Sequence, residues 1–82
     1  MRHKFRSKNY EIKLMDTGDE WGSCHAQAKQ IWLDKNAPPK KLLDAAIHEG
    51  LHACLPDTTE DAVDSTGTDI AGLLWKLGYR KT

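Results

Sequence analysis

The chain is short of the residues that usually make a small protein self-sufficient. Its 82 residues include two cysteines, one phenylalanine and two tyrosines. Cys24 and Cys54 cannot build a disulfide framework, and neither has Cys-x-x-Cys spacing. Both are expected as reduced, small buried side chains. No apolar run approaches membrane-spanning length and no secretory apolar segment is present, so the expectation is a soluble cytoplasmic protein with no membrane partner. Twelve basic residues balance twelve acidic ones, and a net charge of zero gives no reason to expect a nucleic-acid partner. Repeats, linkers and low-complexity segments are also absent. These absences leave one small domain over residues 1–82, close to the lower limit for a self-sufficient core, where a structural metal is a common staple. Residues 1–8, carrying Arg2, Lys4, Arg6 and Lys8, are expected to be a frayed, solvated basic end.

What is present falls into four stretches. Tyr10 to Asp16 alternates apolar and polar residues, with Tyr10, Ile12 and Leu14 on one face, and predicts a half-buried strand whose start can lie as early as Phe5. Thr17 to Ser23 carries two glycines without periodicity and predicts a loop. A second strand is expected from Cys24 to Leu33, joined to the first as an antiparallel hairpin, with Trp21 and Trp32 as packing aromatics and substrate lining as the alternative role for either. Pro38 and Pro39 then break the strand, and Pro39 suits the first turn of a helix running to Leu55, where Pro56 stops it. Its apolar stripe is expected at Leu43, Ile47, Leu51 and Cys54. A last helix opens near Thr58 and Thr59, with Thr58 and Asp61 spaced as a capping box and an apolar stripe of Val63, Gly67, Ile70, Leu73, Leu74 and Leu77. Gly78 suits its C-terminal end, where Arg80 and Lys81 complement the helix dipole, and Gly67 is expected as a close contact between helices.

The first predicted helix contains His48-Glu49-Gly50-Leu51-His52. Residues four apart share a helix face, so both imidazoles can aim at one point, as a tetrahedral metal such as zinc requires. Glu49 sits about 100° round the helix, beside the metal position, where a carboxylate can take a proton from water. Catalytic zinc usually has three protein ligands, and the candidates for the third are Glu60, Asp61, Asp64, His25 and His3. On the last helix Glu60 lies about 60° from the centre of the apolar stripe, Asp64 about 100° and Asp61 about 160°. Glu60 is therefore favoured as ligand, Asp64 as acceptor of a spare ring N–H, and Asp61 as a first-turn acid. His25, in a strand, stays open as a ligand or oxyanion-stabilising group, and His3 lies in the basic end.

The two strings His48-Glu49-Gly50-Leu51-His52 and Glu60-Asp61-Ala62-Val63-Asp64 resemble the zincin metallopeptidases, and more narrowly their gluzincin branch. The order strand, motif helix, ligand helix is similar to small ImmA/IrrE-type and SprT-like domains and to short metallopeptidase-like proteins of tailed phages. The resemblance implies zinc held by His48, His52 and Glu60, with Asp64 orienting a histidine. It also implies an edge strand above the site that pairs with extended peptide, here Gln30 to Asp34, making Ile31, Trp32 and Leu33 the expected substrate-binding residues. The interval from His52 to Glu60 is far shorter than in large gluzincins, and 82 residues leave no room for a separate substrate-binding subdomain.

The fold expected is α+β: a small antiparallel hairpin or sheet with the motif helix and the C-terminal helix packed on one side. The function expected is a minimal zinc-dependent metallopeptidase with Glu49 as general base and a peptide or protein substrate. The alternative is a non-catalytic, zinc-stabilised module that binds a partner protein, and a metal-free helical adaptor is a third. Glu49 discriminates, because a purely structural site closes its fourth position with another ligand and gives such a carboxylate no task.

Overall fold

The computed structural model describes residues 1–80 and has four strands followed by two helices. The strands are β1 (Arg2–Phe5), β2 (Lys8–Met15), β3 (Gly22–His25) and β4 (Gln30–Asp34); the helices are α1 (Pro39–Cys54) and α2 (Glu60–Lys76). The α+β class expected from the sequence is the class observed. The sheet is mixed, in the order β1-β2-β4-β3, with β1/β2 and β3/β4 antiparallel and β2/β4 parallel.

Three differences from expectation have local causes. The single strand over residues 24–33 is two strands, because the chain reverses at Ala26–Lys29, where Lys29 takes a left-handed φ of 55°. β4 then returns between β3 and β2, so its partner from the first predicted strand is parallel and the expected antiparallel hairpin is replaced. The basic N-terminus is not frayed. Arg6 and Ser7 both have positive φ, 47° and 71°, as a two-residue hairpin turn needs, and they fold β1 onto β2. Phe5 packs edge-on to Tyr10, with ring centroids 5.7 Å apart, while Arg6 donates to the Cys54 carbonyl at 2.7 Å and caps the C-terminal end of α1.

The core lies between one sheet face and α1. Tyr10, Ile31 and Leu33 from the sheet meet Ala45 and Ala53 from α1, with Phe5, Ile12, Cys24 and Leu42 around them. The expected stripe of Leu43, Ile47, Leu51 and Cys54 is only half-buried; the buried positions of α1 are Ala45, Glu49, Gly50 and Ala53. Small side chains bring the helix close to the sheet. A Cβ on Gly50 would stand 3.3 Å from the Phe5 ring, which explains the glycine in mid-helix. Leu14 is 49 % exposed.

The second helix starts at Pro-free sequence capped by Thr59, not Thr58: the Thr59 hydroxyl accepts from the Ala62 N–H at 3.2 Å. It ends as expected at Gly78 (φ 92°), with Gly78 N–H to Trp75 O and Tyr79 N–H to Leu74 O, both 3.0 Å, the pairing of a Schellman motif. The Arg80 guanidinium lies 3.8 Å from the Trp75 ring centroid and donates to the Trp75 carbonyl; Lys81 lies outside the described residues. Among the described elements the helix packs only against α1, so it does not join α1 on the sheet. Only the narrow seam Val63, Gly67 and Ala71 is buried, while Ile70, Leu73 and Leu77 of the expected stripe stay exposed.

Gly67 is the close contact expected: a Cβ there would lie 3.5–3.8 Å from the backbone and Cβ of His48. That spacing is ordinary contact, so Gly67→Ala is expected to be tolerated and to gain up to about 1 kcal/mol of helix propensity. Gly67→Leu overfills the seam and is expected to cost about 1–3 kcal/mol. Urea midpoints of the two variants test this, and a Leu variant as stable as wild type would refute the close packing.

Candidate metal centre

The helix repeat puts His48 and His52 on one side of α1, facing the N-terminal turn of α2, and puts Glu49 on the sheet side. The two Nε2 atoms are 3.2 Å apart, with ring centroids at 4.9 Å. His48, Glu49 and His52 each offer a ligand atom, all within 4.8 Å of one another, and this group could hold a metal ion. Its donor set suits one. The edge of a tetrahedron with metal–nitrogen bonds of about 2.0–2.1 Å is about 3.3 Å, close to the observed separation of the two nitrogens.

Glu60 reaches the same point from α2. Its Oε1 is 2.9 Å from His48 Nε2 and its Oε2 is 2.8 Å from His52 Nε2. Thr59, as cap, starts α2 where the first-turn side chain of Glu60 turns back over α1. The Glu60 side chain is 68 % exposed, so the cluster opens to solvent on that side. Asp64, one turn on, has its Oδ1 3.8 Å from His48 Nδ1, beyond hydrogen-bond length but on the side away from the convergence point. A proton on Nδ1 facing this carboxylate leaves the Nε2 lone pair for a metal.

Other sequence candidates lie elsewhere. His25 Nε2 is 3.0 Å from Ser23 Oγ, and its ring leans on Trp32 at 4.0 Å between centroids, so it is not part of the cluster. His3 stacks edge-on against Phe5 in β1. Asp61 is an exposed first-turn acid of α2. The expected substrate strand requires correction: β4 is paired on both sides, to β2 and to β3, so Ile31, Trp32 and Leu33 offer no free edge. Ile31 and Leu33 are core, and Trp32 sits on the opposite face, where its indole N–H donates to Gln30 Oε1 at 2.9 Å. The strand with an unpaired outer edge beside the cluster is β3.

A cleft of about 650 Å³ runs between β3 and the preceding loop on one side and the two helices on the other, with His48, Glu49, His52 and Glu60 in its wall. Sequence reading missed the loop wall, Asp19 to Gly22. Trp21, expected first as a packing aromatic and in the alternative as a lining one, is 46 % exposed and lines the cleft. The one available signal was an aromatic flanked by acids and glycines, a composition that a core residue rarely has.

Glu49 is 8 % exposed, and no hydrogen bond or ion pair engages its carboxylate among the described residues. Burial pushes its pKa up; His48 and His52 pull it down, and Glu60 and Glu20 add a smaller upward push. Burial also raises the Cys24 thiol, with Glu49 adding to it, so Cys24 stays protonated and weakly nucleophilic. Gly22 lets β3 pass over this carboxylate: a Cβ there would lie 3.0 Å from the Trp32 carbonyl, 3.1 Å from Leu33 Cδ2 and 3.3 Å from Glu49 Cγ. Gly22→Ala is therefore expected to destabilise the fold by about 1–3 kcal/mol through overpacking. A thermal melt shows it as a lowered Tm, and an unchanged Tm would contradict the close passage.

No helix among the described residues is long and apolar enough to cross a membrane. Comparison with known protein families finds no match, and comparisons with curated proteins and with solved structures find none either.

Proposed function

We propose that the protein is a minimal zinc-dependent metallopeptidase of zincin type. The observation that carries this reading is the convergence of His48 Nε2, His52 Nε2 and both Glu60 oxygens beside an unpartnered, buried Glu49 carboxylate in an open cleft. His48, His52 and Glu60 would hold the ion, and two imidazoles with one carboxylate are a donor set typical of catalytic zinc. Zinc is favoured over harder cations by the two imidazoles. Glu60 rather than Glu49 completes the set, because Glu60 touches both imidazoles and Glu49 touches neither.

Bound zinc supplies a Lewis acid that brings the pKa of water toward about 7 and polarises a carbonyl. The chain's own groups do the rest. Glu49, whose burial raises its affinity for a proton, accepts one from the attacking water and returns it to the leaving amine. Asp64, 3.8 Å from His48 Nδ1, places a negative charge on that side of the ring and so favours the tautomer with its proton there and the Nε2 lone pair free. The free edge of β3 pairs with an extended peptide by strand addition, which lays a scissile bond along the cleft.

The test is elemental analysis of protein purified without a histidine tag, followed by peptide hydrolysis before and after chelation. One zinc per chain and a hydrolysis rate lost on chelation and restored by zinc are expected. Absence of bound metal would falsify the reading, and bound zinc without hydrolysis of any peptide in a broad mixture transfers it to the zinc-stabilised binding module.

A further inference from the structure

The charge around the cleft is lopsided in a chain whose net charge is zero. Its wall contains six carboxylates, Asp19, Glu20, Asp44, Glu49, Glu60 and Asp64, against one basic side chain, Lys41. Glu49, Glu60 and Asp64 have tasks at the metal centre. Asp19, Glu20 and Asp44 have none, and no hydrogen bond or ion pair engages their carboxylates among the described residues. An acidic cluster alone is a solvated surface. Here it borders a cleft into which Glu49, more than nine-tenths buried, turns a carboxylate without a protein partner. Among the described residues no buried side-chain oxygen is both sealed from solvent and unpaired, so those of Glu49 open onto the cleft and face whatever occupies it. Between the acids stands Trp21, nearly half exposed, with no aromatic partner among the described residues.

Resting on the peptidase reading for the kind of ligand, we propose that Trp21, Asp19 and Glu20 form a subsite for a lysine or arginine side chain of the bound peptide. The indole carries the aliphatic stem and attracts the cation to its face. The two carboxylates pair with the charged head at the mouth of the cleft, and Asp44 on the opposite wall excludes an acidic side chain. The loop that bears these residues is anchored, since the Thr17 hydroxyl donates to the Glu20 carbonyl and Asp34 N–H donates to the Trp21 carbonyl at 2.9 Å. The subsite is therefore held ready at the side of β3, where strand addition places alternate side chains of the peptide.

The experiment measures binding so that it does not depend on turnover. Glu49→Gln protein in zinc-saturating buffer is titrated with labelled six-residue alanine peptides that carry Arg, norleucine or Glu at each position in turn. At one position, or two neighbouring ones, Arg is expected to bind about tenfold tighter than norleucine, with Glu weakest. The preference shrinks in 1 M salt, because the acids are exposed. An Asp19→Asn/Glu20→Gln double variant is expected to bring the Arg-to-norleucine ratio within about twofold, and Trp21→Ala to weaken both peptides. A ratio near one at every position overturns the subsite, as does a ratio that survives the double variant. Wild-type protein incubated with the same peptides separates the two readings. A retained Arg preference without cleavage supports the subsite and defeats the peptidase.

Discussion

Glu49→Gln is expected to lower peptide hydrolysis by about 10²–10⁴-fold while leaving zinc bound. The isosteric amide keeps the volume that β3 closes over at Gly22, so the fold and the cluster of His48, His52 and Glu60 are retained. What it removes is the buried carboxylate beside the two histidines that no protein group engages. The same substitution has a second, opposite consequence when metal is absent. Burial holds the folded-state pKa of Glu49 above its ordinary value of 4.5, so the folded chain binds this proton more tightly than the unfolded chain does. The penalty for ionising it is absent below about pH 4.5, grows as pH rises toward the raised folded value, and is complete above it. Chelated Glu49→Gln protein is therefore expected to melt above chelated wild type at pH 7.5, by about 4–8 °C for each kcal/mol of relieved desolvation. The gap narrows as the pH approaches 4.5. Paired melts at several pH values check this, and equal Tm values at pH 7.5 would remove the strain assigned to the buried carboxylate. Loss of zinc together with activity would instead make Glu49 a ligand.

Zinc is expected to raise the stability of the wild type steeply. A ligand that binds only the folded chain at about a thousandfold excess over its Kd adds about 4.1 kcal/mol, which for a domain this small raises Tm by more than about 15 °C. The gain is expected to be large because the proposed ligands come from two helices: a metal held by them would tie the start of α2 to α1, which otherwise hold together through the thin seam of Val63, Gly67 and Ala71. His48→Ala, His52→Ala and Glu60→Gln are expected to abolish most of the zinc-dependent rise. Asp64→Asn, which faces only the outer nitrogen of His48, is expected to weaken zinc by about 10–100-fold and no more. Melts with zinc or chelator, combined with competitive zinc titration, read both effects. A Glu60→Gln variant with wild-type affinity would leave Glu49 as third ligand; a zinc-independent Tm in the wild type would remove the metal from the fold.

The two helices were legible because their signals are local. Pro39 at the first turn, Pro56 after the end and Gly78 at the C-terminal turn bracket them in the chain, and the i, i+4 spacing of His48 and His52 needs only helical geometry. The strands are less legible, since neither reversal carries the glycine, asparagine or aspartate that readily takes positive φ. Arg6-Ser7 takes positive φ without glycine or asparagine, and Ala26-Gln27-Ala28-Lys29 looks like ordinary strand or helix sequence. Missing them merged β3 into β4 and released β1.

By itself, then, the sequence determined the α+β class, the helix that carries His48, Glu49 and His52, and Glu60 as the acid nearest the packed face of the following helix. Tertiary structure decided which residues surround them. Strand order made β3, not β4, the free edge beside the cluster. Close approach of α1 to the sheet buried Ala45, Gly50 and Ala53 instead of the larger Leu43, Ile47 and Leu51. The same approach buried Glu49, and the loop before β3 brought Trp21, Asp19 and Glu20 to the cleft. The physical reason is range: helix spacing is set by neighbours along the chain, whereas strand order, cleft walls and the burial of a charge depend on contacts between segments far apart in sequence.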